Sequence, residues 1–189
     1  MSKLIIAIMG PSGSGKDTIL NSVLEETNTT KRIISCTTRP KRENEIEGKD
    51  YYFLSREDFI KIMEEDRFLT CTCFNGWFYG ILEDTLSEDK VNVGVFTPSD
   101  IQIINESICN ENKDIALDVF YVEATDKNRL MRQLLREDSP NIEEIIRRYT
   151  TDKKDFQFYN LDFDYITIEN NTTDDFDKAV QTIIDVNSL

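Results

Sequence analysis

The sequence contains no histidine, and its four cysteines form no CxxC pair. Zinc sites and redox motifs are usually built from those residues at short spacings, so a metal site or a disulfide framework is not expected. Cys71 and Cys73 would share one face of a strand, which leaves a bridge between them as an alternative. We predict reduced thiols and therefore a cytoplasmic protein.

Long apolar runs are also missing. The first apolar run, residues 4–9, has six residues and ends at a Gly-Pro turn. A membrane-spanning helix needs roughly 20 such residues. Neither a signal peptide nor contact with a membrane is therefore expected.

Positive charge is scarce, with 22 Lys and Arg against 36 Asp and Glu and a formal net charge of −14. Such a surface repels a phosphate backbone, so a nucleic-acid partner is not expected. A small phosphate ligand is a different case, because it interacts with local groups rather than with the net field. The length of 189 residues suits one domain with a substantial core.

What the chain does contain is an alternation of apolar, strand-like runs and amphipathic, helix-like stretches. Residues 4–9 are typical of a strand buried on both faces, and the apolar positions of residues 18–26 recur at helical spacing. Further strands are predicted at 51–54, 68–74, 78–79, 91–96, 115–122 and 165–168, and further helices at 55–65, from 98, at 127–136, from 139 and at 176–186. This order predicts an α/β fold with a parallel sheet.

A glycine-rich loop joins the first predicted strand to the first helix. Residues 10–16, Gly-Pro-Ser-Gly-Ser-Gly-Lys, fit the phosphate-binding pattern G-x-x-x-x-G-K. The glycines allow backbone N–H groups to converge on phosphate oxygens, and the helix adds its positive end. Lys16 would bridge the β- and γ-phosphates of ATP and stabilise the migrating group. The residues predicted to bind the ATP phosphates are Gly10, Ser12, Gly13, Ser14, Gly15, Lys16, Asp17 and Thr18.

One position of this loop departs from the usual motif. The Ser or Thr that normally gives a hydroxyl to Mg²⁺ is replaced by Asp17, and Thr18 follows it. A carboxylate can also hold Mg²⁺, directly or through water. We therefore predict Asp17 as a Mg²⁺ ligand.

A second phosphate-recognition cluster follows in residues 35–53. Arg39 and Arg42 lie three residues apart, and Tyr51 follows nine residues later. Together they can fork around a phosphate dianion. The alternative is a solvated basic loop.

These segments together resemble the guanylate kinase family along nearly the whole chain. The resemblance is carried by GPSGSGK, TTRPKR, EGKDYYF, NGWFYG, the RxxxR spacing of Arg132 and Arg136, and the ending YITIENN. It implies a three-layer P-loop NTPase fold in one domain of residues 1–189. The implied core is 1–34, 91–126 and 160–189, with an inserted α+β acceptor-binding module at 35–90 and a helical lid at 127–159.

The resemblance also implies an activity, namely transfer of a phosphoryl group from ATP, with Mg²⁺, to a small nucleotide, most simply GMP or dGMP, in purine nucleotide metabolism. Arg39, Arg42, Tyr51 and Tyr79 would hold the acceptor phosphate, Ser35 would approach its base, and Glu45 would orient the arginines. Lys16 would act in catalysis with the lid arginines Arg132, Arg136 and Arg148, and Asn170 would lie near the adenine. A monomer or a homodimer is expected.

The base-reading positions of the family are replaced in this chain. Thr70 stands where the family has Glu, Ile81 stands where it has Ser or Thr, and residues 91–96 carry no carboxylate. Guanine presents N1–H and an amino group, and leaving a buried donor unpaired costs about 1–3 kcal/mol. Guanine recognition would therefore weaken unless Glu83, Asp84 or Asp100 substitutes.

Three alternatives to a GMP kinase follow from these replacements. Another nucleoside monophosphate is one possible acceptor. A sugar phosphate is the second, because the ribose 1,5-bisphosphate phosphokinases are similar in the GPSGSGKD loop and also lack the base-reading acids. The third is a non-catalytic guanylate-kinase-like binding module.

Overall fold

The computed structural model describes residues 2–42, 45–74, 76–111, 113–136, 138–158 and 163–189. Asn75 in NGWFYG and Tyr159 at the end of the predicted lid lie outside the described residues. In the part that is described, no helix is both long enough and apolar enough to cross a membrane.

The described chain forms nine strands and six α-helices, which alternate except at β2–β4, β5–β7 and α4–α5. The strands are β1 (Lys3–Met9), β2 (Thr30–Arg32), β3 (Cys36–Thr37), β4 (Tyr52–Phe53), β5 (Phe68–Phe74), β6 (Trp77–Leu82), β7 (Val91–Val95), β8 (Ile115–Glu123) and β9 (Ile166–Glu169). The α-helices are α1 (Lys16–Glu26), α2 (Arg56–Glu64), α3 (Pro98–Glu111), α4 (Asp126–Leu134), α5 (Ile142–Phe158) and α6 (Thr173–Val186).

The main sheet has five parallel strands in the order β2-β7-β1-β8-β9. Its central strand β1 is buried on both faces, because its side chains alternate between two apolar clusters. Ile6 and Ile8 pack with α1 and α6, whereas Ile5, Ala7 and Met9 pack with α3. The predicted three-layer α/β fold with a parallel sheet is therefore confirmed.

A smaller mixed sheet has the order β4-β3-β6-β5, with β3 and β4 parallel and the other pairs antiparallel. Helix α2 packs against it through Phe59, whose ring stacks on Phe68 at 4.4 Å and on Phe78 at 5.4 Å between centroids. Ser55 begins this helix as predicted, and its side chain accepts a hydrogen bond from the Asp58 N–H. The Asp58 carboxylate bonds to the Ser55 hydroxyl instead of completing a capping box.

Several element boundaries differ from the sequence predictions. The short strands β2 and β3 were not predicted, since two or three residues carry no periodicity. Helix α4 ends at Leu134, two residues early, and α5 begins at Ile142, after Pro140. Helix α6 begins three residues before its first predicted apolar position, because Thr172 and Asp175 form a capping box.

One buried polar side chain connects the main sheet to the turn before β7. Asn92, which is 1% exposed, accepts a hydrogen bond from the Ser87 N–H at 2.7 Å. Its amide donates to the carbonyls of Leu4 at 3.2 Å and of Ser87 at 3.0 Å. The side chain therefore satisfies backbone groups of both segments.

Replacing Asn92 with Ala should lower the free energy of unfolding by about 2–3 kcal/mol, because buried backbone groups lose their partners. Urea denaturation followed by circular dichroism measures this change. Lys90→Ala, in the same turn with an exposed side chain, should change it by less than about 0.5 kcal/mol. Equal stability of Asn92→Ala and the wild type would contradict the assigned role.

Candidate active site

The glycine-rich loop lies at the carboxyl end of β1, between the sheet and α1. Gly13 and Gly15 have φ angles of 78° and 94°, which side-chain-bearing residues rarely adopt. A Cβ on Gly13 would lie 2.4 Å from the Arg129 carbonyl oxygen, and one on Gly15 would lie 2.2 Å from Asn170 Nδ2. Both glycines are therefore required by conformation and by close approach to neighbouring elements.

The loop is held from outside through its carbonyl groups. The Ser14 carbonyl accepts hydrogen bonds from Asn170 Nδ2 at 2.8 Å and from Arg132 Nη1 at 3.0 Å. Arg132 Nη2 also donates to the Asn170 carbonyl at 2.8 Å. Among the described residues, the N–H groups of Gly13, Gly15 and Lys16 have no protein acceptor. Because the carbonyl groups are bonded to neighbouring elements and these N–H groups are unpaired, the loop forms an anion-binding nest.

The side chains that begin α1 lie along the cavity next to this loop. Asp17 and Thr18 are exposed in the first turn and line the cavity, and Lys16 is half-buried beside them. The cavity has a volume of about 1060 Å³. We call it the donor cavity, and its lining includes the predicted residues Ser12, Gly13, Gly15, Lys16, Asp17, Thr18, Arg132, Arg136, Arg148 and Asn170.

The two other predicted loop residues are buried. Gly10 lies against β8, since a Cβ there would be 2.7 Å from the Val122 carbonyl oxygen. Ser14 is fully buried, and its hydroxyl has no hydrogen-bond partner within the described part of the chain. Both residues therefore contribute to the loop through its packing.

Arg39 and Glu45 form the centre of the second cluster. Arg39 Nη2 donates to Glu45 Oε1 at 2.6 Å, and the Arg42 N–H donates to Glu45 Oε2 at 2.8 Å. The Arg39 side chain is only 12% exposed, and its guanidinium carbon lies 5.5 Å from the Tyr51 ring centre. The Tyr51 and Tyr79 rings meet edge-on at 6.2 Å. Glu45 therefore holds the Arg39 side chain and the Arg42 backbone in one arrangement.

The electrostatics of this cluster fix its protonation state at neutral pH. Burial by itself raises the pKa of Glu45, but the hydrogen bonds from Arg39 and the Arg42 amide outweigh it and hold the pKa below its usual value. Burial, reinforced by Tyr79, raises the pKa of Tyr51 above its ordinary value. Glu45 is therefore ionised, and Tyr51 is a neutral phenol that can donate a hydrogen bond.

A second cavity of about 770 Å³ lies between this cluster and the carboxyl end of β7. We call it the acceptor cavity. All seven residues predicted to bind the acceptor line it, namely Ser35, Arg39, Arg42, Glu45, Tyr51, Thr70 and Tyr79. Ser12, Lys16, Glu144 and Arg148 line both the donor and the acceptor cavity. The two cavities therefore meet at these four residues, of which Lys16 and Arg148 are cations.

Arginines of α5 approach the same junction. Glu144 accepts hydrogen bonds from Arg147 Nε at 2.7 Å and from Arg148 Nε at 2.7 Å. The bond from Arg147, followed by that from Arg148, lowers the pKa of Glu144 to about 2. Arg147, which lines the acceptor cavity, was not among the predicted site residues. Its position beside Arg148 in the sequence gave no signal that both side chains face the junction.

Two further residues of the site were not predicted from the sequence. Arg129 is 5% exposed, and its guanidinium donates to the Ser12 carbonyl and to Asp152 Oδ2, both at 3.1 Å. The Ser12 N–H donates to the same Asp152 oxygen at 2.7 Å. This network connects the phosphate loop to α4 and α5. A buried arginine on a charged helix looks like any exposed one in the sequence, so only the packing identifies it.

The donor set near α1 can be tested for Mg²⁺ by its chemistry. Asp17 and Thr18 offer a carboxylate and a hydroxyl, the hard oxygen ligands that Mg²⁺ prefers. In the described residues, no group of three or more His, Cys, Asp or Glu side chains could hold a metal ion by itself. The residues thus fit an ion bound by one carboxylate together with substrate phosphates, the usual arrangement for Mg²⁺.

Comparison with known proteins finds similar sequences along nearly the whole chain. The sequence model of the family described as guanylate kinase matches residues 1–187. A guanylate kinase of Thermotoga maritima is 31% identical over 184 residues, which is 97% of this chain and 87% of that relative. One from Caldanaerobacter subterraneus subsp. tengcongensis is 29% identical over 180 residues, covering 95% and 84% of the two chains.

Comparison of structures finds a guanylate kinase with a similar fold. A crystal structure of guanylate kinase from Anaplasma phagocytophilum superposes with a TM-score of 0.63 at 21% identity, covering 99% of this chain and 85% of that one. The similarity at this identity concerns the fold, and the family match rests on the sequence. The chain therefore belongs to the guanylate kinase family.

Proposed function

We propose that this chain transfers the γ-phosphoryl group of ATP to GMP or dGMP, giving ADP and GDP or dGDP. One observation carries the proposal: the donor and acceptor cavities meet at Lys16, which lines both. A phosphoryl group can pass directly between two substrates only when their phosphates lie in line across one junction. A cation at that junction stabilises the charge that develops during transfer.

The residues of the two cavities would have separate roles in binding and catalysis. The loop amides and Lys16 would bind the ATP phosphates, and Asn170 would lie near the adenine. Arg39, Arg42, Tyr51 and Tyr79 would hold the acceptor phosphate, with Glu45 orienting the arginines. Arg148 would close over the transferring group from α5, with Arg136 and Arg132 beside it. Arg132 now bonds to loop carbonyls, so a direct contact with phosphate would require it to exchange partners.

This division supports an acceptor-binding module at residues 35–90 and a lid at 127–159, attached to a core of 1–34, 91–126 and 160–189. Closure of the lid would expel water and so prevent hydrolysis of ATP. Mg²⁺, when bound with ATP, would neutralise charge on the β- and γ-phosphates, and Asp17 with Thr18 would hold it.

The alternatives raised by the sequence are less well supported. The relatives described above are all named guanylate kinases, which does not favour a sugar phosphate or another nucleotide as acceptor. A non-catalytic binding module would not require Lys16 or the glycines of the loop. The four cysteines are free, which agrees with a cytoplasmic enzyme of purine nucleotide metabolism. It would act as a monomer or a homodimer.

The proposal is tested by a coupled ADP-release assay with ATP and Mg²⁺ across the common nucleoside monophosphates, their deoxy forms and ribose 1,5-bisphosphate. We expect GMP and dGMP to give the highest kcat/KM. Turnover of a different acceptor alone would assign a new specificity, and no turnover of any acceptor would favour the binding module.

Replacing Lys16 with Ala should lower kcat by roughly 10²–10³-fold or more, because one of the two cations that line both cavities is lost. The circular dichroism spectrum should be unchanged, since Lys16 lies outside the apolar clusters. Lys90→Ala, whose side chain lines neither cavity, is the matched control with wild-type kcat. Near-normal turnover of Lys16→Ala would refute the proposed mechanism.

Replacing Arg39 with Ala should raise the KM of the acceptor roughly 10- to 100-fold and affect the KM of ATP little, because a charged hydrogen bond to the acceptor phosphate is lost. Steady-state kinetics with each substrate varied in turn separates the two effects. Arg67→Ala removes another ion-paired arginine, bound to Asp84 and outside both cavities, and should leave the acceptor KM unchanged. An unchanged acceptor KM in Arg39→Ala would remove this residue from the site.

A further inference from the structure

The acceptor cavity contains a buried hydroxyl without a partner. Thr70, on β5 opposite Ile81, is 2% exposed, and its Oγ1 has no hydrogen-bond partner within the described residues. An unpaired buried polar atom costs free energy and is uncommon in a folded protein, and a bound ligand is one way to supply its partner. Thr70 lines the cavity, and because its Oγ1 has almost no exposed surface, a rotation of the side chain would be needed to present the hydroxyl to a ligand there.

The same cavity contains one carboxylate at the start of α3. Asp100 Oδ2 accepts hydrogen bonds from the Thr97 N–H at 3.0 Å and from the Thr97 hydroxyl at 2.6 Å. Every hydrogen bond to the Asp100 carboxylate from the described chain ends on Oδ2, so Oδ1 is available to a ligand. Helix α3, with Asp100 in its first turn, packs against β5, the strand that carries Thr70, and both residues line the acceptor cavity.

The other two acidic residues that could replace the missing base-reading groups are engaged elsewhere. Glu83 is bonded by Lys113 Nζ at 2.6 Å, and Asp84 is bonded by Arg67 Nη2 at 2.5 Å. Neither of the two lines the acceptor cavity, whereas Asp100 does. The structure thus separates three candidates that the sequence left equivalent.

We propose that Asp100 and Thr70 are the base-reading pair of this chain, with Asp100 Oδ1 accepting from N1–H and the 2-amino group of guanine and the Thr70 hydroxyl bonding the same edge. The inference deepens the proposed function and depends on it for the placement of the acceptor. The apolar side chains of Ile81, Val95 and Phe96 line the same cavity and offer a surface to the planar ring.

The chemistry of this pair predicts the order in which the enzyme prefers different acceptors. Guanine offers both N1–H and an amino group, hypoxanthine offers N1–H alone, and adenine offers no donor at N1. A carboxylate oxygen that accepts from these groups therefore ranks GMP above IMP and IMP above AMP. A site built to hydrogen-bond a substrate rejects an analogue that lacks the group, because its own polar atoms are then left unpaired.

Asp100→Asn tests the carboxylate. The bonds from Thr97 require an oxygen, so the amide oxygen would remain there and the NH₂ group would face the donors of guanine. We expect kcat/KM for GMP to fall roughly 10- to 100-fold, that for IMP to fall less, and that for AMP to change little. The KM of ATP should be unchanged.

Asp58→Asn is the matched control for the helix-capping role. Asp58 bonds to the Ser55 hydroxyl at the start of α2 as Asp100 does to Thr97 in α3, but it lines neither cavity. It should leave the order of acceptors as in the wild type. If Asp100→Asn also leaves the GMP-to-AMP ratio unchanged, Asp100 only caps α3, and the inference is wrong.

Thr70→Val tests the hydroxyl, because this change should stabilise the folded protein but weaken the binding of GMP. Removing a buried unpaired hydroxyl while keeping the shape should raise the thermal midpoint by about 2–4 °C. The same change should weaken GMP binding roughly 3- to 10-fold, because an acceptor or donor for the base is lost. A lower thermal midpoint, or unchanged GMP affinity, would remove Thr70 from the pair.

Calorimetric titration of GMP into the wild type, Asp100→Asn and Thr70→Val distinguishes failure of this inference from failure of the proposed function. Absence of turnover with any nucleotide would overturn the proposed kinase activity, but weaker GMP binding to both variants would still support the base-reading pair. Turnover of GMP with equal GMP affinity in all three proteins would leave the kinase activity and overturn the pair.

Discussion

The close packing of the phosphate loop against its neighbours is the constraint on which the rest of the site depends. No side chain fits at Gly13, next to the backbone of α4, or at Gly15, next to Asn170. Because α4 and the turn after β9 lie this near, Arg132 and Asn170 can hold the Ser14 carbonyl from outside. The amide groups of Gly13, Gly15 and Lys16 are then left without a partner among the described residues, as the proposed phosphate contacts require.

The remaining charges of the site are held in pairs and networks. Glu45 fixes Arg39, Glu144 fixes Arg147 and Arg148, and Asp152 joins Arg129 to the tip of the loop. Glu45 and Glu144 keep their arginines at the wall of a cavity, whereas Arg129 is buried and lines neither cavity. This arrangement is compatible with the binding of ATP and a nucleoside monophosphate by an acidic protein, because the cations Lys16 and Arg148 line both cavities.

The features that the sequence predicted correctly depend on residues close together in the chain, whereas the features it missed depend on contacts between distant residues. The strand at residues 4–9, the helix after it and the loop between them were predicted closely, because apolar periodicity and the glycine pattern are local signals. The ends of α4 and α5 were displaced by several residues, and β2 and β3 were not predicted, because short elements are fixed by partners far away in the chain. Arg129 and Asp152 were missed for the same reason: their contacts with Ser12 cross more than a hundred residues.

The sequence by itself determined the family, the layered α/β fold and the residue types that bind phosphate, since each of these is written in spacings of a few residues. The seven residues that the sequence predicted to bind the acceptor all line the acceptor cavity, although their individual roles remain proposals. The tertiary structure alone decided that Lys16 lines both cavities, and that Asp100 rather than Glu83 or Asp84 lines the acceptor cavity together with Thr70. These facts depend on how α3, β5 and the loop after β1 pack together, and packing between distant segments has no signature in either segment alone.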